Sequence, residues 1–416
     1  MLRLPTLLQF TQQAQLMTQQ YDNLAQYNAQ LSSGKKLVNA SDDPVLANQL
    51  QATQDYITQL SNYSTSGSLA QTRTGLFFST VHSAITSMSD VSSIMQKVAN
   101  GTVQQSDRNN FANQLKGDLA TLLNLANSQD ASGSYIFAGY NTSSQAYVQT
   151  SSGFQYQGGL TPTTIDIGVG VSALYNESGF EVFGDIYTGN GVFTVNASSS
   201  NTGGAAISGS VSSSSDYVAD NYTVTFAYNT NVPPQLVYSV SGVSSGQVVP
   251  PPPATIPDQA PVYQPSGQAG VSTTFNGVTL NITGQPNAGD TFQVQPSTQQ
   301  SLFDTIQKTI NLLENPGTNT AVYSQTLSQL TGSVSQALDH LIAYQSTVGA
   351  NKGQIDNQVA FNKSTIDAQT IALSRLGDID EVAVMTLLSQ QSLALQATQM
   401  GYMKMQQTFE QLLKIT

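Results

Sequence analysis

His82 and His340 are the only two histidines of the chain, and cysteine is absent. No thiolate metal site, disulfide framework or cysteine nucleophile can therefore be built. Neither histidine has a second one four residues on, so the helical zinc-protease spacing HExxH is missing. Both fall in stretches with helical periodicity, and they read as solvated or bundle-flank side chains. Asp42-Asp43 is the one adjacent carboxylate pair next to a proline, Pro44; that arrangement caps a helix rather than moving protons. Gly168-Val169-Gly170 and Gly189-Asn190-Gly191 have no lysine after them and lack the strand-to-helix setting of a phosphate loop, so they read as β-turns. Sequons such as Asn221-Tyr222-Thr223 are expected by chance in a chain so rich in Asn, Ser and Thr. With no nucleophile–base pair, metal cluster or phosphate loop, the residues point away from an enzyme, and no catalytic, cofactor-binding or metal-binding residue is nominated.

The composition points the same way. Formal net charge is -12 and charged residues are 9% of the chain, against roughly 25% in ordinary soluble domains. There is no basic excess with which to neutralise phosphates or anionic lipid heads, which argues against nucleic acid and membrane as partners. A surface so poor in charge repels itself weakly and suits packing against copies of itself. No apolar run reaches the roughly 18 to 20 residues that span a bilayer, and the N-terminus is too polar for a signal-peptide core. The 416 residues are enough for two or three domains.

Elements follow from a compositional break. Of the 15 prolines, 12 lie between 141 and 300, whereas all 8 methionines and all 13 Lys/Arg lie outside that segment. The middle alternates apolar and polar residues, as in Tyr222-Thr223-Val224-Thr225-Phe226, which predicts strands and turns. Pro250 to Pro253 predicts an extended stretch, either a rigid loop or a boundary between two small lobes. The flanks are nearly free of proline and predict long helices. Leu7, Phe10, Ala14, Met17, Tyr21, Leu24, Asn28 and Leu31 recur at spacings of three and four, a heptad seam that Gly34 ends. A second helix starts at Pro44, with a stripe on or near Phe78, Val81, Ile85, Met88, Met95 and Val98. Asn100-Gly101 should break it, and a third helix covers 106–127. Ser297 to Gln300 has capping-box form, and the helix after it should stop at Asn315-Pro316-Gly317. A further helix runs from Thr320 to about Leu376, with a stop at Gly377. The last seam is Val384, Leu388, Gln391, Leu395, Thr398, Tyr402, Met405, Phe409 and Leu412.

The expected fold class is α+β, with long N- and C-terminal helices forming a helical bundle and a β-rich domain inserted between them. The expected division is 1–40 (N-terminal heptad helix, axial core together with 378–416), 41–140 (bundle), 141–300 (β-rich outer insert), 301–377 (bundle) and 378–416 (C-terminal heptad helix). Since the insert has no Lys or Arg with which to bind the helices, replacing 145–296 by a linker is expected to leave a folded helical core.

Leu31-Ser32-Ser33-Gly34-Lys35-Lys36-Leu37, running into Ala40-Ser41-Asp42-Asp43-Pro44, resembles the N-terminal signature of the flagellin and hook-associated family. Val98 to Thr102 followed by Asp107-Arg108 is similar to its shared helical domain. Tyr135-Ile136-Phe137-Ala138-Gly139 and Pro44 resemble the hook-filament junction branch. Phe275-Asn276-Gly277 with Gly289-Asp290-Thr291-Phe292 is similar to the β-ribbon phrases of hook-associated proteins. The resemblance covers about 1–140 and 270–416. It implies a structural, extracellular part of the bacterial flagellum, exported unfolded by the flagellar type III route without a cleaved signal. The partners implied are hook-associated protein 1, flagellin, further copies in a ring and an export chaperone before secretion. The expected subunit-packing residues are Leu7, Phe10, Met17, Tyr21, Leu24, Leu31, Leu388, Leu395, Tyr402, Met405, Phe409 and Leu412. Of these, Leu395, Tyr402, Met405, Phe409 and Leu412 would bind the chaperone. A flagellin filament subunit and a surface adhesin using the β insert are the competing readings.

Overall fold

A computed structural model describes residues 3–99, 103–151, 153–265, 270–317 and 319–414; of residues 3–7, 9, 409 and 412–414 it describes the backbone alone. The expected break at Asn100-Gly101 lies outside the described residues. Six helices flank a run of strands: α1 Arg3–Ser33, α2 Pro44–Ala99, α3 Gln105–Ala126, α4 Leu302–Glu314, α5 Thr320–Gly377 and α6 Glu381–Lys414. The chain forms two compact units. The first is Met1–Gly67, Ile167–Val169 and Asn357–Thr416; the second is Ser68–Asp166 and Gly170–Asp356.

Helix starts are set by the caps that the sequence advertises. Asp43 Oδ1 accepts from the amides of Val45 (3.1 Å) and Leu46 (3.0 Å), with Pro44 as first helical residue. Asp380 Oδ1 does the same for Ala383 at the start of α6, at 3.1 Å. The cap expected at Ser297 is four residues further on: Ser301 Oγ accepts from the Asp304 amide at 3.1 Å. The physical reason is that Gln299 and Gln300 are taken up by a strand pairing with Tyr187 and Ile186.

In the second unit, Phe77, Val81, Ala84, Met88, Val91, Met95 and Val98 of α2 are buried at alternating steps of four and three. They pack with Ala112, Leu115, Leu119 and Leu122 of α3, Ile306, Ile310 and Leu313 of α4, and Leu327, Leu330, Val334 and Leu341 of α5. The stripe thus runs through Phe77 and Ala84 rather than Phe78 and Ile85; Phe78 is 38% exposed. Ala84 is fully buried in the stripe, while Ile85 packs half-buried at its edge.

Of the five short strands before residue 188, the first, second and fifth pack on this same core. The five are β1 Tyr147–Thr150, β2 Gly153–Tyr156, β3 Thr163–Gly168, β4 Val171–Asn176 and β5 Ile186–Tyr187, with a π-helical turn at Phe180–Gly184. Tyr147, Val182, Phe183 and Ile186 are buried in the bundle core, and the Tyr147 and Phe303 rings lie 4.7 Å apart, centroid to centroid. Replacing 145–296 would strip these side chains from the helices, so the expectation that the helical core survives that replacement is corrected. Beneath them, the buried Arg73 guanidinium pairs with Asp130, donates to Asn176 Oδ1 and to Tyr175 O (3.1 Å), and lies 4.8 Å from the centroid of the Tyr175 ring.

The remaining strands form a sandwich. They are β6 Phe193–Ala197, β7 Ala206–Val211, β8 Tyr222–Tyr228, β9 Leu236–Gly242, β10 Gly246–Val249, β11 Val271–Phe275, β12 Val278–Thr283 and β13 Thr291–Pro296; β14 is the short Gln299–Gln300. One antiparallel sheet has the order β10-β9-β8-β13-β6, the other β11-β12-β7. Alternation puts Tyr222, Val224 and Phe226 inward, against Val278, Leu280 and Ile282. The two-residue turn between β11 and β12 is Asn276-Gly277, both at positive φ, as a type I′ hairpin requires. Where β6 and β7 diverge, the buried Gln325 of α5 takes the place of a missing rung. Its carbonyl accepts from Ile207 N (2.7 Å), and its amide donates to Val195 O (2.8 Å) and Ile207 O (2.9 Å).

Two predictions arise here. Phe183→Ala should cost about 3 to 5 kcal/mol, read as a lowered denaturation midpoint of the second unit. Burial alone would raise the Asp130 carboxyl, but the Ser132 hydroxyl, the Ser134 amide and the Arg73 guanidinium outweigh it and hold the pKa at about 2. An unfolded aspartate titrates near 3.9, so this stabilisation is present above about pH 4 and is lost as the pH falls through about 2. Asp130→Asn should therefore be less stable than the parent at neutral pH and show a flatter loss of stability between those limits, measured by chemical denaturation across the pH series.

Candidate functional site

Among the described residues no group of three or more His, Cys, Asp or Glu is placed to hold a metal. His82 Nδ1 lies 3.1 Å from Gln345 Nε2, and His340 Nε2 lies 2.7 Å from the Glu181 carbonyl oxygen; both serve helix and loop packing. The nominated residues instead gather in the first unit, where α1 and α6 pair along their seams. The Phe10 and Tyr402 rings meet edge to face, 5.6 Å apart. Met17, Leu24 and Leu31 on α1 and Leu388, Tyr402 and Met405 on α6 are half-buried, while Leu395 is 8% exposed. Tyr21 is 49% exposed, but its hydroxyl accepts from Gln399 Nε2 at 2.8 Å. The side chains of Leu7, Phe409 and Leu412 lie outside the described residues.

Alternate positions of the α1 seam differ from the expected ones. Ala14, Tyr21 and Asn28 are exposed at the edge of the seam, and Gln13, Gln20 and Tyr27 are half-buried between Phe10, Met17, Leu24 and Leu31. The seam is thus apolar at one heptad position and polar at the other.

The two helices leave the seam at a joint. Gly34, at φ 70°, ends α1, and Gly377 ends α5. Here the chain strands pair antiparallel: Lys36 N donates to Gly377 O at 2.7 Å, and Ile379 N to Gly34 O at 3.1 Å. Between these bonds Lys35 faces Asp378, with Nζ and Oδ1 2.6 Å apart. The Lys35 ammonium and the Ser374 hydroxyl hold the Asp378 carboxyl below the usual aspartate range. Lys36 Nζ reaches Arg375 O, and Gln30 Nε2 reaches Lys36 O, each at 2.7 Å.

The faces turned away from the seam are also apolar. On α6, Val382, Met385, Leu393, Met400 and Met403 are exposed, Leu393 by 66% and Met400 by 59%; on α1, so are Leu8 and Leu16. The sequence reading missed this second stripe. Its signal was present in the spacings Val382/Met385 and Leu393/Met400/Met403, but a single heptad assignment absorbs only one face of a helix.

The model of the bacterial flagellin N-terminal helical region matches residues 6–142. Flagellar hook-associated protein 3 of Escherichia coli K12 is 29% identical over 201 residues, which cover 48% of this chain and 62% of that protein. The Salmonella typhimurium protein of the same name is 30% identical over 185 residues, covering 44% and 58%. The chain thus aligns with about three fifths of the length of these two relatives. The crystal structure of flagellar hook associated protein-3 from Legionella pneumophila superposes with a TM-score of 0.73 at 31% identity, covering 78% of this chain and 98% of that one. The chain belongs to the flagellar hook-associated protein 3 family. The family's helical framework with a β-rich centre is the fold described above, and the Tyr135 to Gly139 phrase lies within the matched N-terminal region.

Leu395→Asp puts a charge into the α1/α6 seam. It should speed hydrogen exchange across both helices and leave the melting of the second unit unchanged, as exchange mass spectrometry and a thermal scan would report.

Proposed function

We propose that the chain is a structural component of the flagellum that joins the hook, through hook-associated protein 1, to the flagellin filament, as a ring of copies outside the cell. Family membership supports the class of role, and the bared stripe Val382, Met385, Leu393, Met400 and Met403 is the observation that carries it. Large apolar side chains exposed along a long helix bury surface only when another chain covers them. Each contributes about 1.5 to 3 kcal/mol when covered, enough for an assembly to hold helices that the free subunit holds weakly. The subunit-packing set proposed is Leu7, Phe10, Met17, Tyr21, Leu24, Leu31, Leu388, Leu395, Tyr402, Met405, Phe409 and Leu412, and we add to it the exposed outer stripe. Before export, Leu395, Tyr402, Met405, Phe409 and Leu412 are held by a cytoplasmic chaperone, and export uses no cleaved signal. Among the described residues no helix is long and apolar enough to cross a membrane, so the anchorage proposed is to other subunits.

Immunogold labelling of intact flagella tests the reading: label confined to the hook-filament boundary is expected, whereas label along the filament would make the chain a filament subunit. A second test uses Leu393→Asp with Met400→Asp. The free subunit should keep its melting temperature, because both side chains are already solvated, while incorporation into flagella falls below detection by blotting.

A further inference from the structure

The apolar side chains of the α1/α6 seam discriminate poorly between registers. Phe10, Met17, Leu24 and Leu31 recur at whole heptads, as do Leu388, Leu395 and Tyr402. Sliding one helix along the other by one heptad therefore replaces apolar with apolar. At the intervening inner positions Gln13, Gln20 and Gln391 are uncharged amides that repartner after such a slip at little cost, and Tyr27, Thr398 and Met405 carry no charge to oppose it. Yet the observed alignment is regular. Counting outward from Lys35 and from Asp378, almost equal numbers of residues lead to Leu24 and Leu388, which line one groove. The same holds for Gln13 and Gly401, where a Cβ on Gly401 would sit 3.8 Å from the Gln13 amide nitrogen, and for Phe10 and Tyr402.

Beyond the exposed Tyr21–Gln399 hydrogen bond, what does not repeat along the pair is the joint. We infer that the antiparallel bridge formed by Gly34-Lys35-Lys36 and Gly377-Asp378-Ile379 is the register pin of the terminal helices, fixing which faces of α1 and α6 meet and hence which stripe is left bare. The two backbone bonds lie on either side of the Lys35/Asp378 pair, so that pair is the non-hydrogen-bonded kind, with side chains closest together. A shift of one residue at the bridge would break both backbone bonds and part Lys35 from Asp378. Gly34 supplies the left-handed turn that brings its carbonyl to Ile379, and a Cβ there would be strained by backbone conformation alone. Register is thereby decided at one end of the pair and carried outward along the helices. This inference is independent of the junction reading, since it concerns two segments of one chain.

The absence of native cysteine allows a direct test on the full chain. Gln13→Cys is combined with Gly401→Cys, or with Ala394→Cys or Thr408→Cys, which lie one heptad to either side, and disulfide formation under mild oxidation is timed on non-reducing gels. The in-register pair should close about tenfold faster than the others, because a disulfide forms only when the Cα atoms come within about 7 Å. Adding Lys36→Pro with Ile379→Pro removes both bridge donors. The expected result is loss of that preference while the second unit melts as before. Lys35→Asp alone should weaken the preference, and Lys35→Asp with Asp378→Lys should restore it. Equal rates in the parent, an undiminished preference in the proline variant, or a reversed pair no better than the single substitution would each overturn the inference.

Discussion

The constraint on which the structure depends is that two helical stretches separated by more than a hundred residues must bury one stripe between them. Phe77 to Val98 on α2 is covered by α3 from its own side of the insert and by α4 and α5 from the other. Neither side encloses that stripe alone. The cost of holding the two sides together grows only with the logarithm of the intervening length, about 0.6 kcal/mol for each doubling. A whole sandwich can therefore sit in the connection at a cost smaller than the burial of one large side chain. The short strands β1, β2 and β5 and the π-helical turn then complete the core, with Tyr147 and Phe183 against Phe303.

Polar groups decide the details that apolar packing leaves open. The Arg73 guanidinium holds Asp130, Asn176 and the Tyr175 carbonyl at once, so the loop after α3 and the end of β4 are set together. A charge with so little exposure is tolerable because its donors are satisfied. The exposed Lys35–Asp378 pair contributes little energy by comparison; its worth lies in being unique along otherwise repetitive helices.

How much was legible in the sequence follows from which forces are local. Asp43 with Pro44 and Asp380 before α6 declare themselves, because a cap acts within one turn. The proline-free flanks and the alternating Tyr222 to Phe226 likewise show their periods. Met17, Leu24 and Leu31 were readable as a seam, whereas the inward turn of Gln13 and Gln20 was not, since only the partner helix decides that phase. Ser297 was mistaken for a cap because the competing claim on Gln299 comes from Tyr187, more than a hundred residues away. Small Ala84 hid the true stripe behind Phe78. The place of Tyr147 could not be read either: a strand residue looks the same whether its core is a sandwich or a bundle.

The clasp at Gln325 has a consequence for how the outer domain can vary. Its amide touches only peptide groups, at Val195 and Ile207, and every residue type except proline carries the same pair. Attachment is therefore blind to the side chains of the strands it holds. The sandwich behaves as a cassette: its outward surface can be rewritten residue by residue, or its loops exchanged, while the helix below keeps one glutamine and asks for two strand edges the right distance apart.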